Sequence, residues 1–141
     1  MSEPIRKALA SDAEASAAIL NAWIDETPWM PRTIAPKTLV EILREGLPRR
    51  DAFVIGDPVA GYLSLEPETA HIWGLYVARK GEGLGKALMD RAKAGRDYLK
   101  LNSHAANTAA HRFYAREGFQ QVGSAWAGSD GIDEITMEWC R

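Results

Sequence analysis

The stretch Lys80-Gly81-Glu82-Gly83-Leu84-Gly85-Lys86 constrains this chain more than any other, because it joins an apolar run, His71 to Val77, to a helical pattern, Leu84 to Ala94. Three glycines at alternate positions remove the Cβ atoms that would block close backbone approach. The amides that follow belong to the first turn of a helix, where four N–H groups lack intrahelical partners and the dipole favours negative charge. Such a joint suits an anion, phosphate first. Taken alone, the same seven residues equally describe an ordinary glycine-rich strand-to-helix turn.

Two common phosphate loops do not fit. A nucleotide-triphosphate loop needs Gly at position 80 and Ser or Thr at 87, where the chain has Lys80 and Ala87, so no magnesium-binding hydroxyl follows Lys86. A dinucleotide fingerprint begun at Gly81 needs a small residue at Lys86, and begun at Gly83 needs one at Leu88.

At 141 residues the chain is expected to form a single domain, residues 1–141, long enough to bury a core without a covalent staple. A net charge of -2 and no long basic run give no electrostatic argument for nucleic acid or an anionic membrane. Small molecules or proteins are the expected partners. Cys140 is the single cysteine and has no internal disulfide partner, and the first residues carry Glu3, Asp12 and Glu14 in place of a basic segment leading into an apolar one. A cytoplasmic protein is expected. The longest stretch free of Asp, Glu, Lys and Arg, Gly118 to Ser129, is too short and polar to span a bilayer.

Along the chain, Ile5 to Leu9 reads as a short strand and Ser11-Asp12-Ala13-Glu14 as a capping box that starts a helix, with Ile19, Leu20, Trp23 and Ile24 at helical spacing and Pro28 closing it. The linker Asp25 to Ala35, with Trp29 and Met30, is too apolar for a purely solvated loop. Pro36 opens a second helix that Gly46 stops. From Asp51 the period becomes that of strands: Ala52 to Ile55, a turn through Gly56-Asp57-Pro58, and Val59 to Leu65. The run Ile72 to Val77 reads as a strand buried on both faces, with Gly74 marking a bulge or a close approach. A third helix runs to about Ala94 and ends at Gly95, Tyr98 to Ser103 is a strand, and Asn107 or Thr108 caps a fourth helix ending at Gly118. Phe119 to Gly123 and Ile132 to Trp139 read as the last two strands.

One helix between His71–Val77 and Tyr98–Ser103 makes those strands parallel neighbours, while the remaining connections are hairpins. The glycine turn and Asn107 then both lie at C-terminal ends of parallel strands, where open α/β sheets place ligands.

With Asn107, Phe113-Tyr114 and Gly118-Phe119 placed downstream of the glycine stretch, the chain resembles the GNAT superfamily of acetyl-CoA-dependent N-acetyltransferases from Ile5 to about Trp139. The family's Q/R-x-x-G-x-G/A element maps to Lys80, Gly83 and Gly85, with a further glycine at Gly81. Its second half, an Asn followed by a helix carrying F-Y-x-x-x-G-F, maps to Asn107, Phe113, Tyr114, Gly118 and Phe119. Two departures stand out. Lys80 offers one flexible ammonium where the family commonly has a planar Arg or Gln, and only Ala78 and Arg79 separate Val77 from Lys80 in a turn that is commonly longer. Arg79 is a candidate for the missing fork.

The resemblance implies an α/β fold: a mixed, mostly antiparallel sheet of six to seven strands with a central splayed parallel pair, flanked by about four helices. It implies acetyl-CoA as cosubstrate and no metal. Lys80, Gly81, Glu82, Gly83, Leu84, Gly85 and Lys86 would hold the pyrophosphate, chiefly through backbone amides, and the backbone of Leu75, Tyr76 and Val77 would pair with the extended pantetheine and polarise the thioester carbonyl. Asn107 would bond the pantetheine arm, or act as a plain helix cap, or both. Tyr114 would be the general acid that protonates the departing thiolate; without the resemblance it reads as a packed aromatic of the fourth helix.

For a general base, Glu66, His71, His104, Glu138, Asp25 and Glu26 are candidates, beside proton loss through water. The acceptor, a small-molecule or peptide amine, would lie between the linker Trp23 to Pro31 and the hairpin Trp126 to Asp133. Alternatively these aromatics bury a homodimer surface or extend the core. Against the acetyltransferase stands a reading of another class, a catalytically silent acyl-CoA-binding sensor or interaction module on the same fold, which would use the same cofactor residues.

Overall fold

The computed structural model describes residues 3–141. They form one seven-stranded sheet and four α-helices. The strands are β1 (Ile5–Lys7), β2 (Asp51–Ile55), β3 (Gly61–Glu66), β4 (His71–Val77), β5 (Tyr98–His104), β6 (Gln120–Ala127) and β7 (Asp133–Cys140). Their order in the sheet is β1-β2-β3-β4-β5-β7-β6, and every neighbouring pair is antiparallel except β4 and β5. This is the mixed sheet with a central parallel pair that the resemblance implied. The helices are α1 (Ala13–Glu26), α2 (Pro36–Gly46), α3 (Leu84–Lys93) and α4 (Thr108–Arg116).

Two cores lie on opposite faces of the sheet, as period-two alternation requires. On one face Ile55, Leu63, Leu65, Ile72, Leu99, Leu101, Ile135 and Met137 pack beneath Leu84, Leu88, Met89 and Ala92 of α3, with Phe119 and the rings of Phe113 and Tyr114 joining from α4 and its exit. Leu88 and Met89 are fully buried, and each contributes on the order of 1.5–3 kcal/mol of transfer free energy. On the other face Ala52, Val54, Tyr62 and Tyr76 meet Leu20 of α1 and Leu43 of α2. So Tyr76 and Leu75, neighbours on β4, serve opposite faces.

Four local expectations change. Ser11 does not cap α1: it sits in a single 3₁₀ turn, Ala10–Asp12. Asp12 accepts the Leu9 amide at 2.7 Å and takes both terminal guanidinium nitrogens of Arg6, at 2.8 and 2.7 Å. A carboxylate that reaches an amide and a guanidinium together makes stronger, charge-assisted bonds than the hydroxyl beside it. α2 does end at Gly46 as expected, but not by a left-handed cap: Gly46 keeps helical angles, and the chain continues into a 3₁₀ turn, Leu47–Arg49, carrying Pro48. β3 starts at Gly61, two residues later than expected, because Ala60 is occupied closing the turn with its amide on the Ile55 carbonyl at 2.8 Å. β6 runs on past Gly123 to Ala127, with an irregularity between Val122 and Trp126 that lets the strand pass Gly123 at φ 70° and pair again with β7.

Candidate active site

Only His71 with Lys100 and Ile72 with Leu101 are paired between β4 and β5. Beyond them the parallel strands separate. The cause lies on β4's other side, where Ser64 faces Gly74 but Leu65 faces Ile72, leaving Trp73 as an extra residue. Such a bulge bends its strand, and here it turns β4 away from β5. The bulged residue is Trp73, and Gly74 follows it: a Cβ at position 74 would stand 3.3 Å from the Tyr76 ring.

A cavity of about 800 Å³ fills the opening. β4 supplies Leu75, Tyr76 and Val77, the following turn supplies Lys80, Gly81, Gly83, Leu84, Gly85 and Lys86, and the far wall carries Asn107 and Tyr114. Glu82 is not part of the lining: its carboxylate faces outward, with both oxygens 3.0 Å from Arg79 Nε. The same contact, with a second to Glu3 at 3.2 Å, occupies Arg79, so that guanidinium is not a free fork beside Lys80.

The β4 amides do not all face the opening. Ala78 donates to the Ala60 carbonyl at 2.7 Å, and antiparallel ladders alternate, so Tyr76, two residues earlier, also turns its N–H toward β3. Leu75 and Val77 therefore turn theirs into the cleft. Of the three residues named from the sequence, Tyr76 contributes a side chain and not an amide.

In the turn, Gly81 and Gly83 have φ of 78° and 77°, conformations in which any side chain is strained, and a Cβ on either would meet no atom within 4 Å. The loop is open above its amides. Gly85 has another task, since a Cβ there would touch the Phe113 ring at 3.4 Å; its lack of a side chain brings α3 close to α4. Leu84 is buried in the core, leaving only its backbone toward the cleft. Lys86 holds Asp90 at 3.4 Å and Glu117 at 3.6 Å, and Glu117 foremost raises its pKa.

Asn107 caps α4, its Oδ1 accepting the Ala110 amide at 3.3 Å, while among the described residues its side-chain amide nitrogen, at the cleft edge, has no hydrogen-bond partner. About two turns further on, Tyr114 packs against Phe113 and Phe119 at centroid distances of 5.4 and 5.7 Å. Burial, and then the neighbouring Tyr76 hydroxyl, hold its phenol well above the usual tyrosine range, so it carries its proton. Burial likewise pushes Tyr76 up to about 12. Tyr114 packs with the core on one face of the sheet and Tyr76 with the core on the other, and both line the cavity.

On the α1 side, the Tyr76 ring lies 5.3 Å from Trp23, Trp23 lies 5.8 Å from Trp29, and both indoles pack on His104, at 6.4 and 5.4 Å. His104 Nε2 is 2.8 Å from Asp130 in the turn before β7. The end of α1, the linker and the last hairpin thus converge on one imidazole. Other base candidates are dispersed. Glu66 accepts the Trp73 indole N–H at 3.0 Å, Asp25 holds Arg32 at 3.0 Å, Glu138 accepts the Tyr98 hydroxyl, and Glu26 is exposed outside the cleft. His71 lies at the closed end, kept neutral by burial and by Lys100. Glu134, opposite His104 on β7, lines the cleft and was not singled out from the sequence. A glutamate alternating with apolar residues on an edge-proximal strand looks like a solvated one; its pairing with His104 was the missing information.

Among the described residues no helix is long and apolar enough to cross a membrane, and no group of three or more His, Cys, Asp or Glu is placed to hold a metal ion.

A family model described as Acetyltransferase (GNAT) domain matches residues 30–140. The chain is 28% identical over 134 residues to the peptidyl-lysine N-acetyltransferase YiaC of Escherichia coli K12, covering 86% of this chain and 88% of that protein. Its fold is similar to the solution structure of apo YjaB from Escherichia coli, with a TM-score of 0.77 at 22% identity over 99% and 98% of the two chains. It is also similar to yncA of Salmonella typhimurium, solved with its cofactor acetyl-CoA, with a TM-score of 0.72 at 22% identity over 99% and 94%.

Proposed function

This chain belongs to the GNAT acetyltransferase family, and from that premise we propose that it transfers the acetyl group of acetyl-CoA to a primary amine, which attacks the thioester directly. The observation that carries this reading is the opening between β4 and β5, where two strand amides, a glycine loop at a helix N-terminus and a protonated tyrosine face one cavity.

The residues fit the coenzyme. Leu75 and Val77 present a strand edge to which the pantetheine arm adds, by the same main-chain bonding that adds a peptide to a sheet. The open amides of Gly81 to Gly85 and the first turn of α3 receive the pyrophosphate, with Lys80 adding a point charge. Asn107 donates its free amide nitrogen to a pantetheine carbonyl while its oxygen continues to cap α4. Acetyl-CoA supplies the acetyl group as a thioester. As the amine nitrogen bonds to the carbonyl carbon, a cleft-facing β4 amide donates to the carbonyl oxygen that gains charge. As the C–S bond breaks, Tyr114 gives its proton to the sulfur.

The similarity to YiaC, a peptidyl-lysine N-acetyltransferase, supports including lysine side chains among acceptors, beside small amines and peptide N-termini. With this reading go a single N-acetyltransferase domain over residues 1–141, a cytoplasmic location and an acceptor that is neither nucleic acid nor membrane. Release of free thiol from acetyl-CoA, followed across a lysine peptide, a peptide with a free N-terminus and a set of aliphatic and aromatic amines, tests it. Turnover with at least one acceptor is expected. Tight coenzyme binding with no turnover on any acceptor would instead identify a silent acyl-CoA-binding module.

A further inference from the structure

Two glutamates line the cleft, and they are not equivalent. Glu117, at the end of α4, is buried and held by Lys93 at 3.4 Å and Lys86 at 3.6 Å, which commits it to joining α4 to α3. Glu134 lies on the opposite face of the sheet, directly across the β5–β7 ladder from His104. Directly opposed side chains in such a ladder have Cβ atoms about 5 Å apart, and Glu134 lines the same cavity as His104, Trp23 and Tyr76. Among the described residues its carboxylate has no hydrogen-bond or ion-pair partner. The nearby carboxylate that could compete, Asp130, is already bonded to His104 and to the Ile132 amide, at 2.8 and 3.0 Å. The last hairpin also leaves room for Glu134: a Cβ on Gly128 would collide with its Oε2.

An unpartnered carboxylate beside indole rings is a site for an ammonium, because the ring faces attract a cation and the carboxylate accepts its proton. An aromatic amine would be neutral at pH 7 and would need neither. Resting on the acetyltransferase reading, we propose that Glu134 takes the proton from the acceptor and that the acceptor is an aliphatic primary ammonium whose chain lies along Trp23 and Tyr76, which line the same cavity. Glu134 Oε receives one proton from R–NH3+, and the neutral nitrogen then forms the C–N bond. The C–S electron pair leaves on sulfur, which takes the Tyr114 proton. The nitrogen's surplus proton restores Tyr114, and Glu134 returns its own to water.

The titratable groups facing Glu134 are His104 from β5 and Asp130 from the turn before β7, while Trp126 of β6, Trp23 of α1 and Trp29 of the linker bring no charge. Burial first, and Asp130 after it, raise the Glu134 pKa, with His104 opposing. That moves the carboxyl toward the range of an effective base at neutral pH.

The test is the pH profile of kcat/KM for wild type, Glu134→Gln and Glu134→Asp, with N-α-acetyl-lysine amide and 4-methoxyaniline as probes. For the lysine amide, Glu134→Gln is expected to lower kcat/KM about 100-fold near neutral pH. The deficit should close about tenfold per pH unit toward the amine's own pKa, with the KM for acetyl-CoA unchanged; Glu134→Asp should keep the wild-type shape at reduced height. A Glu134→Gln profile parallel to wild type overturns the proposal, as does a wild type that acetylates the aniline and not the lysine amide. Either outcome leaves the acetyltransferase reading standing, whereas a wild type that turns over no amine at all overturns that reading instead.

Discussion

Ile72 and Leu101 are the last paired position of β4 and β5 and form part of the closed end of the candidate site, which opens beyond them. The extra residue Trp73 swings β4 outward there, so a strand that lies at the centre of the sheet order has, over Leu75 to Val77, the free edge of an outer one. Backbone groups left without a partner inside a protein require one. On the proposed reading, an extended ligand that enters as another strand would meet that need, and the helix N-terminus at the end of the turn would receive the ligand's charge.

Tyr114→Phe removes only the phenolic oxygen from a ring packed between Phe113 and Phe119. The fold should persist, acetyl-CoA affinity by calorimetry should change less than twofold, and kcat should fall roughly 100-fold or more, the usual worth of a positioned acid. Unchanged turnover removes Tyr114 from the mechanism.

Gly83→Ala tests the loop. The added methyl meets open space, so its cost is the backbone's: about 1–2 kcal/mol for a residue held at φ 77°. If the loop relaxes to relieve that strain, its amides lose their aim, and the dissociation constant for acetyl-CoA should rise about tenfold. An unchanged dissociation constant would place the pyrophosphate elsewhere.

The strands and helices were legible because their periods and their glycine and proline punctuation are local. The parallel pairing of β4 and β5 followed from one intervening helix. What stayed hidden depends on register. Tyr76 looked like its neighbours until the Ala78 to Ala60 bond showed its amide turned to β3. Glu82 sits among glycines that face the cleft, yet Arg79 draws it outward. Glu134 acquires significance only beside His104, thirty positions earlier in the chain. Ser11 and Asp12 are both good capping residues, and Arg6 decides between them.

Asp12→Asn should destabilise the fold by about 1–3 kcal/mol at neutral pH, since it replaces a largely buried charge-assisted acceptor. Bonding to Arg6, and then the Leu9 amide, hold the Asp12 carboxyl below its ordinary range despite burial. A depressed carboxyl contributes its stability above its unfolded pKa of about 3.9 and loses it as pH falls through the lower folded value. The gap between wild type and variant in urea unfolding should thus be constant from neutral pH to about 5 and shrink below about 4. A gap that shrinks above pH 6 would point to another group.

Amide hydrogen exchange at Leu75, Tyr76 and Val77, followed by NMR with and without acetyl-CoA, tests the central claim most directly. Tyr76 should exchange slowly in both states, because its amide already pairs with β3. Leu75 and Val77 should exchange fast in the free protein and at least tenfold more slowly at saturating acetyl-CoA. Unchanged exchange at Leu75 and Val77 with the coenzyme bound would contradict the account.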